Sequence, residues 1–590
     1  MHAPGTILFD DSRSPDGQNL LFADPVEIVT AQTPDEVPAA LAALDRAQKN
    51  GLWAAGLFSY ELGYLFEERL APLLPQDRSV PLIWLGLYAK PKTLSRAEAD
   101  ALITVAGTAS TENLTLDLDF AAYEKAIAEV KALIEAGDIY QANLTFRARF
   151  RLSGDLLALY RDLARKQPVA YGALLRAKDF SVLSRSPELF VKNDGGLLST
   201  RPMKGTARRG RTLAEDEAGR RALSADIKNR AENLMIVDLL RNDLGRIAEI
   251  GSVTVTDLFS VETFRTLHQM TSGITARLKP GLGTAEILQN LFPCGSITGA
   301  PKIRAMEIIR AVEKSPRGAY TGALGYVAPT GDFCFNVAIR TATIFSDGSG
   351  EIGIGGGIVA DSEAADEFAE ALLKLKFFTD PAEPLGLIET LLWERGKGFF
   401  LLDRHLARLA ESAAYFGIAL GHPRVALQRA AETFEADRMR VRLLLDERDG
   451  LSVTAVPLPA PAQSPFRFVL AAEQFRSENP FLAHKTTNRA FYDGPRQQAA
   501  ARYGVDEVVF RNERGELTEG SITSLFIERD GVLLTPALDC GLLPGTLRAE
   551  LIAEGRVREA VLTVADLETA DALYLGNSVR GLMPAEWVRL

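Results

Sequence analysis

Residues 201–210 read RPMKGTARRG, and Arg201, Lys204, Arg208, Arg209 and Arg211 crowd together there with no acid among them. The chain around them is acidic, with a formal charge of -11. A charge run ordinarily keeps a surface wet. An amine held among cations, however, has its charged form disfavoured, and a lowered pKa would give Lys204 a free lone pair for attack on carbon. Acids fall at useful spacing further on. Glu232 stands at the head of the apolar run in NRAENLMIVDLLRND, and Glu367 and Glu370 lie three apart after the glycines 355–357. Residues three apart share a helical face. Carboxylates from two helices, with room for water, are what Mg2+ takes when it also holds a substrate oxyanion. The three glycines permit close backbone approach to a ligand. In FPCGSITGAPKIRAMEII, glycines and hydroxyls, Ser296 among them, precede a helix opening at Pro301. Free N–H groups at such an opening can meet an anion.

A second set lies near the other end. AHKTTNRAFYD contains Lys485, GELTEGSITSLFIERDGVLLTP places Glu519 between two strands, and GLLPGTLRAELIAEG opens a helix on Pro-Gly-Thr, with Thr546 at its start. A lysine for a Schiff base, an acid for a pyridinium nitrogen and a phosphate cup are what pyridoxal phosphate requires.

The elements that must position these residues read as α+β. GALLRA, FSVLSRS and LFVKND alternate as strands. FAAYEKAIAEVKALIEAG has apolar residues at helical spacing and ends at Gly137. SADIKNRAENLMIVDLLRNDLG is another helix, expected to end at its own glycine. LIETLLWERGKGFFLLDRHLARLAESAAYFGI pairs strands with an amphipathic helix. Strands and helices mix without regular βαβ alternation, which points to α+β. FFTDPAEPLGLIET, residues 377–390, breaks a periodic helix with two prolines and a glycine. The expected organisation is an N-terminal part over 1–119, a catalytic domain over 120–378, a linker over 379–386 and a second unit over 387–590. PLPAPAQSP, residues 457–465, reads as a linker between two halves of that second unit.

Composition excludes several classes. The 590 residues suit about three or four units at roughly 100–200 residues each. A hydrophobic fraction of 47% with 24% charged residues is ordinary for globular protein. A pI near 5.3 argues against a general nucleic-acid binder. Cys294, Cys334 and Cys540 are far apart and odd in number, so no disulfide framework is expected and a reducing cytoplasm fits. No basic segment precedes an apolar core at the N-terminus and no apolar run reaches about 18 residues, so neither a secretory signal nor a membrane span is expected.

In order, SRSPELF, RPMKGTARRG, AENLMIVDLLRNDLGR, PCGSITGAPKIRAMEII, GAYTGALGY, NVAIRTA and GGGIVADS followed by Asp366, Glu367 and Glu370 resemble the chorismate-using enzymes. The group is that of anthranilate synthase and aminodeoxychorismate synthase component I, and the resemblance spans about 120–377. GLFSYELGYLFE resembles the N-terminal part of the same family. The resemblance implies an antiparallel sheet sandwich with helices. It implies that Glu232 and Glu370 hold Mg2+ on the substrate's ring carboxylate, with Glu367 in support. Arg340, Tyr320 and the backbone of Gly355, Gly356 and Gly357 would hold carboxylates, and Ser296 and His268 would line the ring pocket. Anthranilate-forming relatives carry alanine at the position of Lys204, whereas aminodeoxychorismate synthases carry lysine. The implied roles are attack of Lys204 on ring C2 and protonation of the leaving 4-hydroxyl by Glu188, a glutamate whose pKa would be raised by partial desolvation. Relatives that add water have a lysine base where this chain has Gln141.

Residues 387–590 resemble the branched-chain and D-amino-acid aminotransferase fold group, which also contains 4-amino-4-deoxychorismate lyase. The implication is a smaller two-lobed domain with Lys485 as Schiff-base lysine, Glu519 on the pyridine nitrogen, and Arg408 and Thr546 at the phosphate. Asn577 and Ser578 of LGNSVRG belong near the same site, and Ser524 stands where many relatives have asparagine. These motifs do not separate lyase from transaminase, but the fusion does, since a lyase would consume the first unit's product directly. The expectation is a bifunctional route from chorismate and ammonia through aminodeoxychorismate to 4-aminobenzoate for folate. The alternative is an anthranilate-type synthase fused to a branched-chain or D-amino-acid transaminase, and Lys204 speaks against it. A non-catalytic half is opposed by the intact Lys204, Glu188, Glu232, Lys485 and Glu519. None of FPCGS, DFCFN and LDCGL has the Gly-x-Cys-x-Gly setting of a glutaminase nucleophile. A separate glutamine amidotransferase subunit is therefore expected, together with a homodimer through the PLP domain and no nucleic-acid or membrane partner.

Overall fold

The computed structural model describes residues 3–14, 17–104, 107–264, 267–379, 385–447, 450–459 and 465–589. The linker expected over 379–386 lies largely outside the described residues, and so does most of 457–465. Two compact units emerge. The first comprises Met1–Ala207 and Ala222–Ala382, and the second comprises Glu383–Leu590 together with Arg208–Arg221.

In the first unit, among the described residues, two ten-stranded antiparallel sheets face each other. Strand alternation decides what lies between them. Ile7, Phe22 and Val182 point inward from one sheet and Leu57, Trp84 and Tyr88 from the other. Leu8, Leu174 and Leu183 point the opposite way, onto a layer with the helices Phe120–Glu135, Lys302–Val312 and Ala364–Thr379. The helices Val37–Lys49, Ile227–Ile247 and Thr284–Leu291 cover the outer face of the other sheet. The result is a helix–sheet–sheet–helix stack that buries the central strands of both sheets, while outer strands such as Glu27–Ala31 and Ala109–Leu116 stay largely exposed, and each fully buried aliphatic side chain contributes about 1.5–3 kcal/mol.

The strands read from GALLRA, FSVLSRS and LFVKND form at Tyr171–Arg176, Phe180–Ser186 and Leu189–Asp194. The helix Phe120–Glu135 is followed by Gly137 at φ +80°, as a C-terminal glycine signal requires. The other glycine expectation fails. Asp226 caps the Asn229 N–H, and the helix Ile227–Ile247 runs straight through Gly245. Leu244 and Ile247 are buried, so packing holds the last turn past a residue that would otherwise end it.

The second unit has two lobes. In one, the strands Gly398–Phe399, Gly386–Glu394, Arg438–Asp446 and Gly450–Pro457 form an antiparallel sheet. The helix Leu402–Phe416 packs on it through Leu409 and Ala413, against Leu387, Val441 and Leu443. In the other, eight strands form a mixed sheet with the helices Ala490–Tyr503 and Thr546–Ala553. The α+β class, the sheet sandwich and the two-lobed second domain all stand as read. Among the described residues, no helix is long and apolar enough to cross a membrane.

Candidate active sites

Lys204 sits on the strand Met203–Arg208, beside the strand Leu267–Arg277. The Gln269 amide donates to the Gly205 carbonyl at 2.9 Å and the Ser272 N–H to the Pro202 carbonyl at 3.2 Å. Asn233, wholly buried on the helix Ile227–Ile247, donates to the Lys204 carbonyl at 3.3 Å and accepts from the Ser272 hydroxyl at 2.6 Å. That amide fixes the helix to the lysine strand and brings Glu232 Oε2 to 3.3 Å from Lys204 Nζ. Sequence reasoning missed Asn233, although an amide beside a candidate acid in AENLM was a signal.

The helix Ala364–Thr379 brings the other two acids. Burial and the charge of Glu370 push the Glu367 carboxyl up, against the pull of the Ser362 hydroxyl and Lys204. Lys374, 2.8 Å from Glu370, holds that carboxyl down. The glycines serve these side chains. A methyl on Gly357 would fall 2.6 Å from Lys204 Nζ and 2.8 Å from Gln141 Nε2, and one on Gly356 would fall 3.2 Å from Glu367 Oε2.

Glu188 is buried, and burial pushes its carboxyl up to about 7 against the pull of the Ser296 hydroxyl and the Met203 N–H. Among the described residues its Oε1 has no hydrogen-bond partner, and neither does the buried Oε1 of Gln141. The Met203 contact places this near-neutral acid next to the lysine strand. Ser296 also lies 3.2 Å from the Cys294 sulfur. His268, fully buried, is on the strand adjoining that of Lys204, with Nδ1 3.1 Å from the Thr263 hydroxyl. Arg340 has a left-handed backbone, φ +51°, and burial alone pushes its guanidinium down to about 10. A cation desolvated in this way is short of an anion. Tyr320 lies under the Arg147 guanidinium at 5.1 Å, and burial pushes its phenol up to about 12.

The basic run does not surround Lys204. Arg201 pairs with Asp257 at 2.9 Å and Glu262 at 2.7 Å, while Arg208, Arg209 and Arg211 belong to the second unit. A carboxylate, Glu232, faces the lysine in place of the cations of that run. Among the described residues, no three His, Cys, Asp or Glu side chains converge closely enough to hold a metal unaided. Mg2+ does not need such a cage, since it keeps waters and takes one or two carboxylates with substrate oxygens. The repulsion that Glu370 exerts on Glu367 is what a cation there would relieve, so the donor set fits that ion.

In the second unit a cavity of about 410 Å3 is lined by Lys485, Glu519, Arg408, Thr546, Asn577 and Ser578. The Ile388 N–H donates to the Lys485 carbonyl at 2.8 Å, which anchors the lysine on the first lobe. Burial, and then the charges of Arg408 and Arg489, push the Lys485 amine down to about 8. Glu519 lies within the strand Leu517–Gly520. Burial pushes its carboxyl up to about 7, although the Tyr492 hydroxyl donates to it at 2.5 Å and the Leu543 N–H at 2.9 Å. A buried amine and a buried acid, each short of countercharge, fit a cofactor that brings an aldehyde and a ring nitrogen able to become cationic. Gly545 caps the helix that begins at buried Thr546, and a methyl on Gly545 would fall 2.6 Å from Ser524 Oγ. The hydroxyl of Ser524 therefore faces the cap of that helix.

Arg408 is not free for a phosphate alone. It donates to both carboxyl oxygens of buried Glu389, at 2.9 and 2.6 Å, and to the Pro544 carbonyl at 3.0 Å. His405 Nδ1 is 2.5 Å from the same glutamate, and its Nε2 lies 3.0 Å from the Ser578 hydroxyl and 3.3 Å from that of Thr546. Burial opposes the charge of Glu389, but Arg408 and His405 hold it down to about 2. Glu389 and His405 were missed, though an acid inside the apolar run GLIETLL signals a buried partner. Arg440 and Arg442, exposed into the cavity from the strand Arg438–Asp446, were missed as well.

Replacing Glu389 by glutamine leaves a buried guanidinium without its countercharge. The expected cost is about 3–5 kcal/mol, read as a lower Tm of the full chain. The intact pair also sets an acid limit. Because the folded carboxyl lies below its ordinary 4.5, its stabilisation is complete above that pH and is lost as pH falls toward about 2.

Comparison with known proteins agrees with this geometry. The sequence profile of the chorismate binding enzymes matches residues 7–380, and that of class IV amino-transferases matches residues 386–587. The first match reaches far upstream of the 120–377 legible from motifs, because Thr6–Asp10 and Asn19–Phe22 are strands of one sheet and Trp53–Phe58 and Ile83–Tyr88 of the other. Aminodeoxychorismate synthase component 1 of Klebsiella aerogenes is 38% identical over 341 residues, covering 55% of this chain and 75% of that protein. The protein of the same name from Escherichia coli (strain K12) is 38% identical over 343 residues, with the same coverage. Anthranilate synthase component I from Streptococcus pneumoniae TIGR4 superposes with a TM-score of 0.54 at 27% identity, covering 62% of this chain and 93% of that one. The chain belongs to the chorismate binding enzyme family, and a class IV amino-transferase domain follows the chorismate-binding part in the same polypeptide.

Proposed function

We propose that the protein makes 4-aminobenzoate, the aromatic precursor for folate, from chorismate and ammonia in two steps, one in each unit. The observation that carries this reading is Lys204, seated against Gly357 and Glu232 beside the near-neutral Glu188. The two relatives named above support it over three quarters of their own length.

In the first step the Lys204 amine bonds to ring C2 while the C4 hydroxyl departs, taking a proton from Glu188 and leaving as water. Ammonia then bonds to C4, and the bond from C2 to Lys204 breaks. Glu188 suits the task because a carboxyl raised to about 7 keeps its proton in a large share of molecules at neutral pH, where an ordinary glutamate has lost it. Arg340 supplies the countercharge for a substrate carboxylate. Glu232 and Glu370 would hold Mg2+, with Glu367 in support, and the ion would neutralise the ring carboxylate. Gly357 matters for space. Gly357→Ala is expected to lower chorismate turnover at least ~10²-fold by displacing Lys204, measured by steady-state kinetics on a chain that retains its wild-type Tm.

In the second step pyridoxal phosphate supplies an electron sink for the carbon that bears the amine. Glu519 would hold the ring nitrogen of that group, and Thr546, Ser524 and the Gly545 cap would receive its phosphate. Lys485 would take the proton from the amine-bearing carbon, the neighbouring ring carbon–oxygen bond to the three-carbon enol side chain would break as the ring becomes aromatic, and Lys485 would return a proton to the enol carbon so that the side chain leaves as pyruvate. Arg440 and Arg442 face this cavity and would hold the substrate carboxylates. Arg442→Ala is expected to raise KM for the second step about tenfold with little change in kcat, as loss of a charge-assisted contact does. Unaltered KM would remove Arg442 from the site.

The nitrogen comes from a separate glutamine amidotransferase subunit, and the second unit forms a homodimer. The three free cysteines suit a reducing cytoplasm. The test of the function needs one tube holding protein, chorismate, ammonium, Mg2+ and pyridoxal phosphate. Release of 4-aminobenzoate and pyruvate is the expected result, and anthranilate, or no aromatic amine, would sink the reading.

A further inference from the structure

The segment Arg208–Arg221 belongs by its contacts to the second unit, although it follows directly on the strand of Lys204. It is a built element. Arg209 is only 7% exposed, and its guanidinium meets Asp216 at 2.7 Å. Asp216 also accepts the Gly210 N–H at 2.9 Å, which closes the turn before the helix Leu213–Ala225. A guanidinium buried this far is costly unless fully partnered. Its further partner is Tyr415, at the end of the helix Leu402–Phe416. Arg209 lies 4.0 Å over the Tyr415 ring and donates to the Tyr415 carbonyl at 3.0 Å. The Tyr415 hydroxyl returns the contact, donating to the Gly210 carbonyl at 2.8 Å.

The chain of contacts continues toward the cavity. The Tyr415 ring stands 4.3 Å from the imidazole of His484, which is fixed by the Ser412 hydroxyl at 2.9 Å. His484 immediately precedes Lys485. A second arm runs from Arg211, which pairs with Glu215 at 2.8 Å and Asp539 at 3.0 Å. Asp539 lies in the turn Leu538–Cys540, just before Leu543, whose N–H binds Glu519. One segment therefore touches both the loop that carries the lysine and the loop that holds the acid.

We infer that Arg208–Arg221 is a brace for the cofactor cavity, with Arg209 and Arg211 as positioning residues that fix where Lys485 and Glu519 stand. The inference rests on the reading of that cavity as a pyridoxal phosphate site. Arg209 carries most of the effect, because Asp539, the partner of Arg211, is largely exposed and pairs at the surface contribute little.

The test uses the full chain in three variants, Arg209→Met, Arg209→Lys and Tyr415→Phe. Three quantities are read. They are the pH midpoint of the visible absorbance of bound pyridoxal phosphate, kcat and KM for aminodeoxychorismate, and the rate of chorismate amination. Arg209→Met is expected to shift the midpoint and to lower kcat roughly 10- to 100-fold, with KM little changed, as misplacement of a reacting group does. Arg209→Lys keeps a charge toward Asp216 and is expected to recover part of that loss. Tyr415→Phe removes only the hydroxyl bond to Gly210, is expected to give a smaller shift in the same direction, and decides the matter if Arg209→Met does not fold. Amination of chorismate is expected to be unchanged in all three. A wild-type midpoint and kcat in folded Arg209→Met, or in Tyr415→Phe where that variant decides, would overturn the inference. Failure of the unaltered protein to develop the visible band would overturn the cofactor reading itself, a result distinct from the first.

Discussion

Lys204→Ala is expected to abolish 4-aminobenzoate formation from chorismate and ammonium, with turnover at least ~10³-fold lower, because no other group supplies the nucleophile. Any aromatic amine that still forms is expected to be anthranilate. The same variant, given aminodeoxychorismate directly, is expected to release 4-aminobenzoate at the normal rate, since Lys485 and Glu519 are untouched. Separation of the products by chromatography reads both results. Persistent 4-aminobenzoate from chorismate would remove Lys204 from the chemistry. The geometry makes the loss specific, because the lysine is set by the Asn233 amide behind its carbonyl and by the space that Gly357 leaves.

Lys485→Ala is the second large effect. Chorismate is still expected to be consumed, but aminodeoxychorismate accumulates and pyruvate release falls at least ~10³-fold. Borohydride treatment with pyridoxal phosphate is expected to label Lys485 in the unaltered chain and nothing in the variant. The pH dependence follows from the buried amine. Capture of the cofactor aldehyde needs the neutral form, whose fraction rises as pH climbs through about 8 rather than through the ordinary 10.5. The rate at which the visible band appears in cofactor-free protein is therefore expected to rise across pH 7–9 and then level. A rise only above pH 10 would mean that the amine is not desolvated as described.

Much of this was legible in the residues, for identifiable reasons. Strands such as Phe180–Ser186 form where the sequence pattern placed them, and this one is buried at every position. Lys204, Glu232, Lys485 and Glu519 stood in motifs whose spacing survives without a structure. The end of the helix Ile227–Ile247 did not, because its glycine is overridden by the burial of Leu244 and Ile247, a tertiary fact. The setting of Lys204 was misread for a related reason. Five cations adjacent in sequence look like one cluster, but Arg201 answers to two acids and Arg208–Arg211 to another unit. Glu389 and His405 escaped because their importance lies in a contact with Arg408 that no local pattern announces.

The division of the chain has a practical corollary. A profile boundary near residue 380 suggests that the two activities could be dissected by a single cut. The fold is not modular in that sense, since Arg208–Arg221 is discontinuous in sequence with the rest of the second unit. A fragment beginning at Glu383 would expose the Tyr415 ring and carbonyl that Arg209 covers, while the remaining piece would carry an orphaned basic segment. Co-expression of the two pieces, rather than expression of either alone, is the dissection that this connectivity favours.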